Sequence, residues 1–166
     1  RVMKKIMNQA DNVVSDMLTG IAAVNPNVAY DSEGEVIYRK NKTEKVGLVS
    51  GGGSGHEPAH AGYVGKGMLD AAVAGNVFAS PDPARILNGI EHANSGKGVL
   101  LIIKNYSGDI MNFEMAADLA ADFDVEVKKV IVRDDVAVQE STFSTGRRGI
   151  SGTVFVHKIA GATAEA

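Results

Sequence analysis

The amino-acid sequence predicts an α/β fold with a mixed, largely parallel sheet and helices on both faces of that sheet. Two observations support this prediction. Short apolar runs at 46–49, 69–78, 99–103 and 125–132 have the length of buried strands. Between and after these runs, apolar residues recur at helical spacing. Because strands that alternate with helices form a sheet covered by helices, residues 1–166 are expected to form one α/β domain.

One helix and a pair of strands come first in the chain. Apolar residues at helical spacing predict a helix over residues 3–23, which ends before Pro26. Two short runs at 28–30 and 36–38 flank a turn at 31–34 and are typical of strands. These strands precede the apolar runs that we expect in the centre of the sheet.

The apolar run 46–49 is followed by four glycines and two serines at 50–55, and then by His56, Glu57 and Pro58. We expect a strand, a glycine-rich turn and a short helix from Pro58, because proline is tolerated in the first turn of a helix. Glycines in such a turn let backbone N–H groups approach a ligand. Histidine is well suited to move a proton near neutral pH. A plain connection with a solvated histidine is the alternative.

The second half of the chain repeats the order of strand, loop and helix. Asp82 and Pro83 predict a helix start, with Asp82 as the N-cap and Pro83 as the first helical residue. Further helices are predicted over residues 110–122 and 151–164.

Three predicted loops follow strands and therefore lie at one edge of the sheet. They span residues 51–57, 104–109 and 133–149. In sheets of this kind, ligands bind beyond the carboxyl ends of the strands. His56, Lys104 and Asp109 are therefore expected to share a pocket, although they are far apart along the chain.

Known nucleotide and hydrolase motifs do not fit the glycine-rich stretch. The dinucleotide-binding pattern requires a third glycine where this chain has His56 or Pro58. A Walker A loop fails because both Gly-Lys pairs in the chain are followed by glycine. The nucleophile elbow of serine hydrolases needs a glycine two residues after Ser54, where His56 stands, so serine hydrolysis is a minor option.

The residues that remain suit a site for a small polar molecule. His56 and Asp109 can accept a proton from a hydroxyl, and Lys104 can neutralise an oxygen or an incoming phosphoryl group. Backbone N–H groups of residues 53–55 can bind oxygen atoms. This set favours phosphoryl transfer to a hydroxyl, in which positioning and charge do most of the work. It also suits enolisation next to a carbonyl, the chemistry of a sugar isomerase.

Plain structural roles compete with these functional ones. Asp109 directly precedes an apolar helix and can be its N-cap, and Lys104 can be a solvated strand end. Asp134 and Asp135 lack a third ligand nearby, so a solvated turn is favoured over a metal site. The arginine pair at 147–148 suits a phosphate, an acidic partner or an exposed loop.

No metal site is predicted at the histidines. His56 and His60 have the i, i+4 spacing of a zinc pair, but the glycines and the proline place His56 before any helix. His92 and His157 are expected to be ordinary helix-surface residues.

The composition excludes several classes of protein. The net charge of −3 and the lack of a basic stripe argue against a nucleic-acid partner. No apolar run is long enough to span a membrane. The absence of cysteine excludes disulfides, thiolate metal sites and cysteine nucleophiles, and it agrees with a reducing compartment. We therefore expect a cytoplasmic protein that binds neither nucleic acid nor membrane.

Two stretches, SGGGSGHEP at 50–58 and HAGYVGKGML at 60–69, are much more specific than a generic glycine loop. Together with GVLLIIKNYSGDIMNFE at 98–114 and DDVAV…GRRGISGTV at 134–154, they resemble the dihydroxyacetone kinase family. The resemblance runs in the same order along almost the whole chain. It is strongest to the separate substrate-binding subunit of the bacterial, phosphotransferase-dependent enzyme.

This resemblance implies that dihydroxyacetone is phosphorylated on a hydroxyl to give dihydroxyacetone phosphate. In the bacterial system, a nucleotide-holding subunit carries ADP and magnesium, and a phosphotransferase-type subunit rephosphorylates that ADP. No cofactor is therefore expected in this chain, and these two subunits are its expected protein partners. A homodimer is expected for the full-length subunit.

The motif match also implies which residues contact the substrate. They are Gly53, Ser54, Gly55, His56, Lys104 and Asp109. His56 would accept a proton, and Asp109 would act with it at the reacting hydroxyl. The family holds the substrate carbonyl as a hemiaminal on a histidine in the second half of the subunit, which is absent here. None of His60, His92 and His157 lies in the corresponding motif.

The family subunit is about twice as long as this chain and contains two α/β domains, of which these residues resemble the first. The piece alone is expected to bind substrate weakly and not to turn over. The competing hypothesis is a non-catalytic sensor of the same fold, which binds dihydroxyacetone and regulates transcription through a partner. The presence of both His56 and Asp109 favours the kinase subunit.

Overall fold

The computed structural model describes residues 8–138 and 146–166. Within these ranges, four α-helices cover a six-stranded sheet. In chain order the elements are α1 (Val13–Val24), β1 (Val28–Asp31), β2 (Val36–Arg39), β3 (Gly47–Ser54), β4 (Ala71–Val77), α2 (Pro83–Ala93), β5 (Val99–Lys104), α3 (Ser107–Ala121), β6 (Val127–Val132) and α4 (Thr153–Glu165). The predicted α/β fold is confirmed.

The sheet is mixed and largely parallel, as predicted. Its strand order is β1-β2-β4-β3-β5-β6. The four strands β4, β3, β5 and β6 are parallel, and the hairpin β1-β2 joins β4 in antiparallel orientation. Val49 lies in the centre, opposite Ala71 on one side and Leu101 on the other. The carboxyl ends of β3, β5 and β6 therefore meet at one edge.

Apolar side chains fill the space on both sides of the sheet. On one face, α2 and α3 pack Ile86, Ile90 and Phe113 against the strands. On the other face, α1 and α4 cover a second cluster that contains Leu18 and Ile102. Each fully buried side chain of this size contributes about 1.5–3 kcal/mol to stability. The two apolar clusters hold the sheet rigid beneath its loops.

The glycine-rich stretch is not the turn that we predicted. Strand β3 continues through the three glycines and ends at Ser54. Neighbouring backbone explains why these positions are glycine. A Cβ on Gly51 would lie 2.4 Å from the carbonyl oxygen of Val73, and one on Gly53 would lie 2.6 Å from the backbone nitrogen of Ala79. The glycines thus allow β4 and the segment after it to approach β3 closely.

The helix expected from Pro58 is a single 3-10 turn at Ala61–Tyr63. Glycines disfavour a longer helix here, and the backbone is already extended at Val64, directly after the turn. The segment therefore folds back on itself and returns the chain to the start of β4.

Other helix boundaries follow the sequence more closely. The side chain of Asp82 accepts a hydrogen bond of 3.1 Å from the backbone N–H of Arg85, and Pro83 is the first residue of α2, as predicted. Helix α1 begins at Val13, after a 3-10 turn at Ala10–Asn12. Residues 3–7 of the helix predicted over 3–23 lie outside the described residues. No helix in the described ranges has the length and apolar character that a membrane crossing requires.

A cluster of four charged side chains lies at the amino ends of β3 and β4. Asp70 pairs with Arg39 at 2.9 Å and with Lys45, and it also accepts a hydrogen bond of 2.8 Å from the backbone N–H of Leu48. Glu165, at the end of α4, pairs with Arg39. This amino-end cluster ties α4 to the edge of the sheet opposite the carboxyl ends of the strands.

Candidate active site

A cleft of about 440 Å³ opens at the carboxyl ends of β3 and β5. His56 and His60 reach it from the segment after β3, and Lys104 reaches it from the last position of β5. Asp109 lies in the first turn of α3, and Ser151 lies in the loop before α4. His56, Lys104 and Asp109 therefore do share a pocket, as the order of strands and loops predicts.

His56 lies exposed at the rim of the cleft. Its Nδ1 is 2.8 Å from the carbonyl oxygen of Gly53. Because a carbonyl only accepts hydrogen bonds, Nδ1 carries the proton in this contact. Its ring meets the ring of Phe78 edge-on, with centroids 5.5 Å apart. The neutral ring therefore has Nε2 as the nitrogen that can accept a proton.

Asp109 is not the N-cap of α3. The helix begins at Ser107, its N-cap position is Tyr106, and no side chain in the described ranges caps it. The carboxylate of Asp109 is instead buried in the cleft wall, where its Oδ1 has no hydrogen-bond partner among the described residues. Burial raises the pKa of Asp109, although the hydroxyl of Ser80 and the charges of Lys104 and His56 oppose this shift. Such a carboxylate can bind a ligand that donates a hydrogen bond.

Lys104 is half-buried beside this carboxylate. Burial lowers the pKa of Lys104, while the charges of Asp109 and Asp134 act in the opposite direction. A cation in this position is weakly hydrated and therefore attracts oxygen atoms of a ligand strongly.

The other implied contacts differ in how they face the cleft. Gly53 lines the cleft. The hydroxyl of Ser54 is buried and donates a hydrogen bond of 2.7 Å to the carbonyl of Gly75. The N–H of Gly55 donates a hydrogen bond of 3.0 Å to the carboxylate of Glu57. Ser54 and Gly55 thus shape the end of β3 beside the cleft, and neither lines the cleft itself.

The loop after β6 closes one side of the cleft. Asp134 accepts hydrogen bonds from the backbone N–H groups of Ile150 at 2.6 Å and Gly152 at 2.7 Å, which is a structural role. The guanidinium of Arg148 lies 5.7 Å from the ring centre of Tyr106. Residues 139–145 of the loop predicted over 133–149 lie outside the described residues. Among the residues described, no three metal-binding side chains lie close enough to share an ion.

Sequence reasoning missed two histidines beneath the cleft. His60 is buried and lines its floor, and His157 is fully buried behind it, so the expected surface position of His157 is wrong. The inward positions of α4 are Thr153, His157 and Gly161, each four residues apart. This helical spacing is the signal that could have placed His157 inside. His92 is half-buried and stacks on the ring of Tyr38.

His157 has an unusual environment for a polar side chain. Both of its ring nitrogens are buried without a hydrogen-bond partner in the described part of the chain. Its ring centre is 5.7 Å from that of His60 and 5.9 Å from that of Tyr63. Burial lowers the pKa of His157 to about 4, and the charge of Lys104 adds to this shift. His157 is therefore neutral near neutral pH.

Comparison with known proteins identifies the family of this chain. Residues 19–166 match the sequence profile of the Dak1 domain. The chain belongs to the Dak1 domain family. The resemblance inferred from the glycine-rich motifs is thereby confirmed.

Several Dak1 relatives are closely similar to this chain. It is 61% identical to the PTS-dependent dihydroxyacetone kinase 1, dihydroxyacetone-binding subunit DhaK, of Listeria innocua, over 99% of this chain and 50% of the relative. It is 43% identical to the DhaKLM operon coactivator DhaQ of Lactococcus lactis, over 97% of this chain and 49% of the relative.

The solved dihydroxyacetone kinase of C. freundii has the same fold. It matches with a TM-score of 0.89 and 42% identity, over 99% of this chain and 31% of that one. The same enzyme has been solved in complex with AMP-PNP and Mg²⁺. The Dak1 chain described here spans about half the length of the curated relatives that it matches.

Proposed function

We propose that this Dak1 domain binds dihydroxyacetone and supports its phosphorylation to dihydroxyacetone phosphate, as the first α/β domain of a cytoplasmic, substrate-binding kinase subunit. One observation carries the proposal. His56, Lys104 and Asp109 come from three separate segments and line a single cleft at the carboxyl edge of the sheet. The names of the relatives supply the substrate and the reaction.

Each of these side chains has a chemical role in the proposal. The Nε2 of His56 takes the proton of the reacting hydroxyl, because its Nδ1 is engaged with Gly53. Asp109 orients that hydroxyl from the wall of the cleft, and Lys104 binds an oxygen of the substrate or of the incoming phosphoryl group. Gly53 contacts the substrate from the wall of the cleft, and Ser54 and Gly55 hold the end of β3 in place beside it.

The phosphoryl group comes from other chains in this proposal. A nucleotide-holding subunit carries ADP or ATP with magnesium, and a phosphotransferase-type subunit recharges it. The absence of a nucleotide motif in the sequence agrees with this division of labour. We further propose that a second α/β domain supplies the histidine that binds the carbonyl, and that the complete subunit is a homodimer.

An assay of the complete protein with its two partner subunits tests the proposal. We expect dihydroxyacetone phosphate to form, and the isolated piece of residues 1–166 to produce none under the same conditions. Turnover by the isolated piece would contradict the need for a second domain. Absence of both binding and product with the complete protein would overturn the proposed function.

A second candidate function is a sensor of dihydroxyacetone that regulates transcription through a partner. The 43% identity to a named operon coactivator favours it as the alternative. The same assay separates the two functions, because a sensor binds dihydroxyacetone and yields no phosphate ester with the partner subunits present.

A further inference from the structure

The floor of the cleft contains a histidine to which the motif comparison gives no role. His60 follows the glycine-rich stretch and is 8% exposed. It nevertheless lines the cleft together with Gly52, Lys104 and Asp109. A buried polar ring that faces a ligand cleft needs a hydrogen-bond partner on each side.

The hydrogen bonds of Ser50 fix which nitrogen of His60 carries the proton. The hydroxyl of Ser50 donates a hydrogen bond of 2.6 Å to the carbonyl of Ile102, and its oxygen is 3.2 Å from the Nδ1 of His60. A serine hydroxyl has a single hydrogen to donate. Because that hydrogen is directed to Ile102, Nδ1 of His60 is the donor to Ser50. The Nε2 of the neutral ring is therefore an acceptor.

Gly52 leaves space directly beside this acceptor. A Cβ built on Gly52 would lie 3.5 Å from the Nε2 of His60 and 3.8 Å from the Oδ2 of Asp109. Both separations are ordinary van der Waals contacts for carbon. A hydroxyl oxygen near this point would come within hydrogen-bond distance of Nε2 after a shift of a few tenths of an ångström. Small groups of a ligand can therefore reach both side chains at once.

The surroundings of His60 keep its ring neutral. Burial lowers the pKa of His60 well below its usual value, and the nearby Lys104, His157 and His56 lower it further. A neutral ring with its proton on Nδ1 offers only a lone pair at Nε2. This nitrogen can bind a hydrogen-bond donor and cannot satisfy a carbonyl or an ether oxygen.

We propose that His60 is a further substrate-binding residue, whose Nε2 accepts a hydrogen bond from a substrate hydroxyl that lies over Gly52 beside Asp109. The proposal rests on the proposed function for the identity of the substrate. It makes the floor of the cleft selective for a ligand with a hydroxyl at this point. A ligand with a methyl, carbonyl or ether group there leaves Nε2 unpaired, which weakens binding.

The tautomer can be observed directly. In the complete protein, ¹⁵N chemical shifts of the histidine rings distinguish a protonated Nδ1 from a protonated Nε2. We expect the Nδ1–H form for His60 at neutral pH. An Nε2–H form or a doubly protonated ring would overturn the proposal, because neither has a lone pair at Nε2.

Two amide variants separate the contact of Nε2 with the substrate from the contact of Nδ1 with Ser50. His60→Gln keeps an acceptor near the position of Nε2, and His60→Asn keeps a donor near the position of Nδ1. By calorimetry with dihydroxyacetone, we expect His60→Asn to bind roughly 10- to 100-fold more weakly and His60→Gln to retain most of the affinity. Unchanged affinity in His60→Asn, or an equal loss in both variants, would overturn the role of Nε2.

A third variant tests the point over Gly52 without altering His60. The methyl group of Gly52→Ala fits against the protein and occupies the place of the hydroxyl. We expect weaker dihydroxyacetone binding, whereas Gly20→Ala, which adds a methyl where no atom of the described residues lies within 4 Å, should bind normally. Normal binding by Gly52→Ala would contradict the proposal.

The same titrations distinguish this proposal from the proposed function. If the unmodified protein does not bind dihydroxyacetone, both fail. If it binds and His60→Asn binds equally well, only the role of His60 fails.

Discussion

The buried polar groups at the two ends of the parallel strands differ in their hydrogen-bond partners. At the amino ends, Asp70 is paired with Arg39 and Lys45 and also accepts a backbone hydrogen bond. At the carboxyl ends, Asp109 has a buried oxygen without a partner, and His157 has two such nitrogens within the described residues. Both ends are comparably buried, so the difference lies in the hydrogen bonds and not in exposure to water.

This contrast distinguishes the amino-end cluster, which stabilises the fold, from the cleft, which is the candidate site. A buried charge with a full set of partners stabilises one arrangement of the surrounding elements. A buried polar atom that lacks a partner lowers the stability of the fold and gains a partner when a ligand binds. We therefore expect substitutions in the amino-end cluster to change stability, and substitutions in the cleft to change binding and turnover.

The largest effects are expected from His56 and Asp109, to which the proposed function assigns the work at the reacting hydroxyl. In the complete protein with its partner subunits, Asp109→Ala and His56→Ala should each lower kcat by about 10²- to 10⁴-fold, and by more than they weaken binding. Steady-state kinetics with dihydroxyacetone measures both quantities. Asp118→Ala, an exposed position on the same helix, is the matched control. Unchanged kcat in Asp109→Ala would remove this carboxylate from the proposed mechanism.

The amino-end cluster should give the largest loss of stability. Asp70→Ala removes one of the two carboxylates that pair with the buried Arg39 and Lys45, and it should lower the free energy of unfolding by about 3–5 kcal/mol. Urea denaturation measures this loss. Asp118→Ala again serves as the control, with an expected change within about 0.5 kcal/mol. A loss in Asp70→Ala no larger than in the control would contradict the scaffold role.

The neighbouring glycines Gly51 and Gly52 of β3 allow the same comparison between a position that affects stability and one that affects binding. A Cβ at Gly51 would lie 2.4 Å from the carbonyl oxygen of Val73, whereas the nearest atom to a Cβ at Gly52 is 3.5 Å away. Gly51→Ala should therefore lower the free energy of unfolding by about 1–3 kcal/mol, while Gly52→Ala should leave it almost unchanged. Thermal unfolding of both variants provides the test, and equal Tm values would refute it.

The smallest predicted effects concern pH. Burial raises the pKa of Glu165, but the hydrogen bonds from Arg39 and Gly67 and the charges of Arg39 and Lys45 outweigh it, so the net pKa is lowered. The pKa of Asp109 is raised by burial. A lowered pKa stabilises the fold above the carboxyl's unfolded pKa, and this contribution is lost as pH falls through the folded pKa. A raised pKa costs stability above the folded pKa, and the cost disappears as pH falls.

Near neutral pH, Glu165→Gln should therefore lower the free energy of unfolding, and Asp109→Asn should raise it. Both differences should shrink as pH falls below the ordinary carboxyl range, and both should be smaller than the effect of Asp70→Ala. Denaturation curves across this pH range measure the trend. Differences that do not depend on pH would show that the carboxyl charges are not their cause.

Local signals in the sequence were sufficient for much of this fold. The helix start at Asp82 and Pro83 depends on hydrogen bonds within one turn, and it was predicted correctly. The positions of His56, Lys104 and Asp109 at one edge follow from the order of parallel strands, which is also written along the chain. Features that depend on neighbours in sequence are therefore predictable.

Features that depend on residues distant in sequence could not be predicted in this way. Glycine is required at Gly51 because β4 passes close to it, and nothing within the glycine run itself distinguishes such a strand from a turn. The spacing of Thr153, His157 and Gly161 marks one face of α4, but the burial of that face depends on packing α4 against the segment that contains His60. A cap role for Asp109 competed with the site role because the helix begins three residues earlier than the apolar pattern does.

Helix α4 links the two ends of the sheet in a way that bears on protein engineering. Its first half carries His157 behind the cleft floor, and its last residue, Glu165, joins the amino-end cluster. A helix of 13 residues is about 20 Å long and nearly incompressible along its axis. Gly161 lies so close to the backbone of Gly67 that a Cβ would be 2.3 Å from its oxygen. A side chain introduced at Gly161 would displace the whole helix. One substitution would therefore change the depth of the cleft and also separate Glu165 from Arg39.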